Sequence, residues 1–109
     1  PGSRGVITAS QIEAVIRPDD HRFPHTRLIA IENTHNRAGG TIFPIDEMKK
    51  IYQLAQRRNL KVHLDGARIW NASIATGIPL LEYAKYADSI NVCFSKGLGA
   101  PVGSMILGS

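Results

Sequence analysis

Ser95-Lys96-Gly97-Leu98-Gly99-Ala100-Pro101 lies between two apolar runs, Ile90 to Phe94 and Val102 to Leu107. Seven residues link the runs, and they carry no helical pattern. A parallel crossover needs roughly a dozen residues, so the second run is expected to turn back and pair antiparallel. Lys96 is left at the mouth of that turn. A long, mobile, well-solvated cation is an uncommon choice between two strands, which makes Lys96 a candidate for amine chemistry.

Upstream of the lysine the sequence alternates strand and helix. Leu28-Ile29-Ala30-Ile31 is an uninterrupted apolar run, which suits a parallel strand buried on both faces. Lys61-Val62-His63-Leu64 and Ser89 to Phe94 read as two further strands. Between the first two, Pro44 is expected at the first helical position, with Asp46 and Glu47 in the first turn. Ile45, Met48, Ile51, Tyr52 and Ala55 make the apolar stripe of this helix, Arg57 and Arg58 sit in its last turn, and Asn59 is a left-handed cap. After the second strand comes a short helical or irregular segment from Ile69 to Thr76, broken by Gly77. A helix from Pro79 through Ala87 follows and is closed by Asp88. Near the start, Thr8-Ala9-Ser10-Gln11 and Ser10-Gln11-Ile12-Glu13 both fit a capping box. They precede a short helix with Ile12, Val15 and Ile16 on one face, ended by Pro18. Residues 19–26 read as a charged surface loop, and Arg37-Ala38-Gly39-Gly40 as a flexible one. The order β-α-β-α-β predicts right-handed parallel crossovers. The expected fold class is α/β, a mostly parallel sheet with one antiparallel strand.

Length and composition set the bounds. At 109 residues the chain is one domain at most, and a domain of that size buries roughly 65% of its unfolded surface. No apolar run approaches the roughly 20 residues of a membrane helix, and no charged and then apolar leader opens the chain. No membrane association is expected. The net charge of +4 is spread along the chain and reads as solvated surface, so no nucleic-acid partner is expected. The single Cys93 fits a reducing compartment, cytoplasm or mitochondrial matrix. The chain opens at Pro1-Gly2 without Met and stops at Gly108-Ser109 just after a predicted strand, so a fragment of a longer protein is expected.

In open α/β sheets ligands bind beyond the carboxyl ends of the parallel strands. The first strand delivers Glu32, Asn33 and His35 to that edge, the second Asp65 and Arg68, the third Ser95 and Lys96. Each residue is open to a second reading. Lys96 can be a solvated lysine, Asp65 before Gly66 a turn-former, Arg68 a counter-charge to Asp65, and His35 a loop histidine. His63, inside a strand, reads as packed, His21 and His25 as incidental, and Cys93 as core. Competing motifs fail. The glycines after Lys96 are not G-x-G-x-x-G, no Walker lysine is present, the histidines lack zinc spacing and no metal is expected, and Ser95 has no nucleophile elbow.

One chemistry uses the converging set. A lysine amine can hold an aldehyde cofactor as a Schiff base, and pyridoxal phosphate needs an acid at its pyridine nitrogen. Asp65 and Lys96 end two strands 31 residues apart with one helical crossover between them, and Ala67 would lie against the ring face.

Glu32-Asn33-Thr34-His35-Asn36, His63-Leu64-Asp65-Gly66-Ala67-Arg68 and Ser95 to Ser104 resemble the signature segments of the L-threonine aldolases. These are pyridoxal-phosphate lyases of the aspartate-aminotransferase fold, fold type I. The resemblance implies that residues 1–109 are the central part of the large, cofactor-binding domain. Lys96 matches the lysine that anchors the cofactor. Asp65 matches the acid at the pyridine nitrogen, Arg68 an arginine near the cofactor's phenolic oxygen and the substrate carboxylate, and His35 a histidine near the substrate β-hydroxyl. The implied reaction is retro-aldol cleavage of threonine or allo-threonine to glycine and acetaldehyde, by an oligomer built as a dimer of dimers. A related fold type I lyase, or a non-catalytic product serving assembly, are the other readings. The implied phosphate loop, ring-stacking histidine and second carboxylate-binding arginine fall outside these residues.

Overall fold

The computed structural model describes residues 2–108. Four strands, β1 (Leu28–Glu32), β2 (Lys61–Gly66), β3 (Ser89–Cys93) and β4 (Ser104–Gly108), form one sheet in the order β1-β2-β3-β4. β1 pairs parallel with β2, β2 parallel with β3, and β4 runs antiparallel to β3. The short link after Phe94 therefore forces the reversal expected from its length. The last strand begins later than the apolar pattern suggests. Val102 is 80% exposed in a bend, and pairing starts only after Gly103, whose φ of 125° no side chain adopts easily.

The helices are α1 (Ala9–Glu13), α2 (Ile45–Arg57), α3 (Ile69–Thr76) and α4 (Leu80–Ala84). At α1 the capping box forms on Thr8. Its hydroxyl accepts from the Gln11 N–H at 3.3 Å, and the Gln11 side chain accepts from the Thr8 N–H at 2.9 Å. Regular helix stops at Glu13, so Val15 does not join Ile12 on a buried face and stays 71% exposed. Pro44 caps α2 from extended backbone rather than entering its first turn, because it already has ψ of 130°. The stripe of α2 is as expected, with Leu54 added: Met48, Ile51, Leu54 and Ala55 are fully buried. Asn59 turns left-handed just past the helix end, at φ 53°. α4 is shorter than predicted. Its last turn tightens at Tyr86 and Ala87 to bring the chain into β3, and Tyr83 is its buried anchor.

The core lies on one face of the sheet. Ile29 and Ile31 of β1, Val62 and Leu64 of β2 and Val92 of β3 pack with α2, α3 and Tyr83. Within these residues α2, α3 and Tyr83 cover only the side of Ile29 and Ile31, and Leu28 and Ala30 face the other way. The other face carries half-buried polar residues along β2 and β3. Among the described residues no helix is long and apolar enough to cross a membrane.

Asp88 does not close α4. Its carboxylate accepts from the Val62 N–H at 2.8 Å and from the Lys61 amine at 2.9 Å, joining the start of β3 to β2. The Val62 N–H, aided by Lys61, holds the Asp88 carboxyl below its usual range. A carboxyl depressed in the folded state stabilises the fold above its unfolded pKa of about 4, and that contribution is lost as pH falls through the lower folded value. Asp88→Ala in the full chain should cost about 1.5–3 kcal/mol near neutral pH. Urea unfolding at neutral pH and at about pH 3 checks this. An equal gap at both would contradict the assignment.

Candidate active site

The carboxyl ends of β1, β2 and β3 lie along one edge of the sheet, because all three strands run parallel. Asp65 stands opposite Glu32 on one side and Asn91 on the other. Its Oδ1 accepts from the Ala67 N–H and from the Asn91 amide, both at 3.1 Å. Its Oδ2 has no hydrogen-bond partner among the described residues. The turn-former reading of Asp65 is half right: the bond to Ala67 is a turn contact, and a second oxygen remains. Ala67 itself is 6% exposed and contributes that N–H.

Asp65 lines a cleft of 360 Å³ with Glu32, His35, Ala30, Ile7 and Phe43. The N-terminal turn at Gly5 closes one wall so tightly that a Cβ there would stand 2.7 Å from the His35 ring. His35 caps the turn that begins at Asn36, its Nδ1 accepting from the Ala38 N–H at 3.2 Å. That bond leaves the proton on Nε2, which lies 3.7 Å from Glu32 Oε2. Glu32 Oε1 accepts from the Asn36 N–H at 3.0 Å. Glu32 and His35 thus form a half-buried pair beside Asp65, a link that their three-residue spacing across a strand end did not announce.

Asn33 ties the edge together. Its backbone N–H donates to the Asp65 carbonyl at 2.9 Å and its Oδ1 accepts from Phe43. Its Nδ2 is a fully buried donor with no partner among the described residues.

Arg68 is half-buried just before α3, with no ion pair to Asp65. Its reading as a counter-charge has no direct contact behind it. Lys96 lies in the turn after β3, exposed, and forms no ion pair among the described residues. The turn is held by the Gly99 N–H on the Lys96 carbonyl and the Ala100 N–H on the Phe94 carbonyl. Gly97 lies against α3: a Cβ there would stand 2.6 Å from Asn71 Oδ1, so a larger residue would displace that exposed side chain. Topology brings Asp65, His35 and Glu32 into one cleft and puts Lys96 and Arg68 on the same edge, outside that cleft's lining.

The other histidines separate. His21 and His25 are exposed beside Asp20 and Asp19 in the charged loop. His63 is not packed into the apolar core. It faces the half-buried side of the sheet, bonded to Ser89 and Asn91. Strict alternation along Lys61 to Asp65 places His63 and Asp65 on one face, and that was the available signal.

The family described as beta-eliminating lyase matches residues 1–109. The chain belongs to the beta-eliminating lyase family. Within this family it is 50% identical over 107 residues to a low-specificity L-threonine aldolase 1 of Arabidopsis thaliana, covering 96% of this chain and 30% of that protein. It is 43% identical over 105 residues to a low specificity L-threonine aldolase of Escherichia coli strain K12, covering 96% and 31%. The chain therefore spans about a third of these beta-eliminating lyase relatives. A solved threonine aldolase of Leishmania major superposes with a TM-score of 0.84 over 99% of this chain and 32% of that one, at 22% identity. That likeness is one of fold.

Proposed function

We propose that this chain is the central part of the cofactor-binding domain of a pyridoxal-phosphate lyase that cleaves threonine or allo-threonine to glycine and acetaldehyde. The observation that carries it is the Asp65 carboxylate, with one oxygen fixed by two donors and the other without a partner among the described residues, in a cleft at the edge that also bears Lys96. The donor chemistry fits the cofactor: a carboxylate oxygen for a protonated ring nitrogen, an amine for an aldehyde, and a guanidinium for anionic oxygens. Bound there, pyridoxal phosphate supplies an electron sink for the pair released when a bond to the amino acid's Cα breaks.

The residues divide the remaining work. Lys96 anchors the aldehyde carbon. Asp65 Oδ2 accepts from the ring nitrogen and keeps it protonated. Arg68 meets the phenolic oxygen or the substrate carboxylate. His35 offers Nε2–H, not a lone pair, since Nδ1 is taken by Ala38. It therefore orients the β-hydroxyl oxygen as a donor, and the hydroxyl proton goes to the carboxylate oxygen Glu32 Oε2, which lies 3.7 Å from His35 Nε2. A homo-oligomer, a dimer of dimers, in cytoplasm or mitochondrial matrix completes the reading.

The similarity to proteins named threonine aldolases favours this substrate over another β-substituted amino acid. Incubating the full-length protein that contains these 109 residues, loaded with pyridoxal phosphate, with L-threonine should release acetaldehyde and glycine in equal amounts. Product from a different β-substituted amino acid and none from threonine would favour the alternative lyase. Cofactor uptake with no product from either would favour the assembly role.

A further inference from the structure

A chain of hydrogen bonds runs across the half-buried face of the sheet and ends on Asp65. Ser89 Oγ lies 2.8 Å from His63 Nδ1, His63 Nε2 lies 3.1 Å from Asn91 Oδ1, and Asn91 Nδ2 donates to Asp65 Oδ1 at 3.1 Å. The direction of the chain follows from its end. A carboxylate only accepts, so the Asn91 amide nitrogen faces Asp65 and its carbonyl faces His63. His63 must then carry a proton on Nε2, and its Nδ1 is bonded to the Ser89 hydroxyl. Two of the links are direct cross-strand pairs, Asp65 with Asn91 and His63 with Ser89. The sheet register itself therefore holds the chain in place.

We propose that Asn91 and His63 are positioning residues for the cofactor's acid partner, resting on the assignment of Asp65 to the cofactor ring nitrogen. A carboxylate held only by Ala67 can swing about its last torsion. Asn91 fixes the second direction on Oδ1 and so aims Oδ2 outward before the cofactor arrives. His63, held in turn by Ser89, stops the Asn91 amide from flipping, which would bring a carbonyl against the carboxylate. The gain is preorganisation. Without it, cofactor binding must itself immobilise the side chain, at a cost of roughly three- to tenfold in affinity.

The test uses the full-length protein that contains these residues, stripped of cofactor and titrated with pyridoxal phosphate, reading the dissociation constant and the absorbance maximum of the lysine-bound cofactor. Asn91→Leu keeps the volume and removes the donor. It should weaken binding roughly tenfold and shift the maximum, with the melting temperature of the cofactor-free protein within about 5 °C of wild type. His63→Leu should weaken binding about threefold, and His63→Gln, whose amide presents a donor and an acceptor in the same sense, should restore it. Because His63 acts through Asn91, adding His63→Leu to Asn91→Leu should change nothing further. If Asn91→Leu fails to fold, the Leu and Gln variants at His63 carry the test alone. Wild-type affinity in the Leu variants at both positions would overturn the proposal, as would equal losses in the Gln and Leu variants at His63. Failure of the wild-type protein to take up the cofactor would overturn the assignment of Asp65 as well, and is thereby distinguished.

Discussion

Lys96→Ala in the full-length protein that contains these residues is expected to abolish the absorbance band of lysine-bound cofactor and to lower turnover by on the order of 10³-fold or more. The reasoning starts from the turn. Lys96 is exposed after β3 and forms no ion pair among the described residues, so its amine is committed to no structural partner. Ser95 to Pro101 is held by backbone bonds, and Gly97 seats against Asn71 without involving the lysine side chain. Truncating the side chain should therefore leave the fold intact. Spectra of the cofactor-loaded protein check the first outcome and acetaldehyde release the second. A band that survives the substitution places the anchor elsewhere.

Asp65→Asn tests the other end of the proposed cofactor. The amide keeps the shape of the carboxylate, and its oxygen can still accept from Ala67 and Asn91. Its nitrogen, however, would point a donor where the carboxylate offers Oδ2. A ring nitrogen facing a donor is not held protonated, and the electron sink weakens. Turnover should fall by at least on the order of 10²-fold, the range for losing one positioned acid or base group. Binding through Lys96 should persist, so the absorbance band should remain while activity is lost. That separation distinguishes the two residues: loss of the band identifies the anchor, and loss of turnover with the band retained identifies the acid. Unchanged turnover in Asp65→Asn would remove Asp65 from the ring nitrogen.

The elements were legible wherever a local signal was strong. α2 has its acidic start, apolar stripe, basic end and left-handed Asn59 all in register, and it forms where they place it. α1 and α4 are each shorter than their patterns suggest. Both end where the chain must reach the next element, a tertiary demand that a few residues of periodicity do not carry. The site was legible one residue at a time. Its partners were not. Nothing local shows that His35 gives up Nδ1 to Ala38, that Glu32 folds back toward His35, or that Asn91 rather than Arg68 bonds Asp65.

Three parallel strands and a reversed fourth could be read from the order and length of the connections alone. Crossover length and link length decide direction before any packing occurs. Which polar groups reach the carboxyl edge could be read as well, since chain direction alone sorts them there. The aim of Asp65 could not be read that way. It depends on the register of β2 against β3, which sets Asn91 beside Asp65 and Ser89 beside His63. Register comes from the packing of whole strands against helices. The hydrogen bonds between residues 26 and 28 positions apart in sequence, which fix the carboxylate, exist only once that packing is complete.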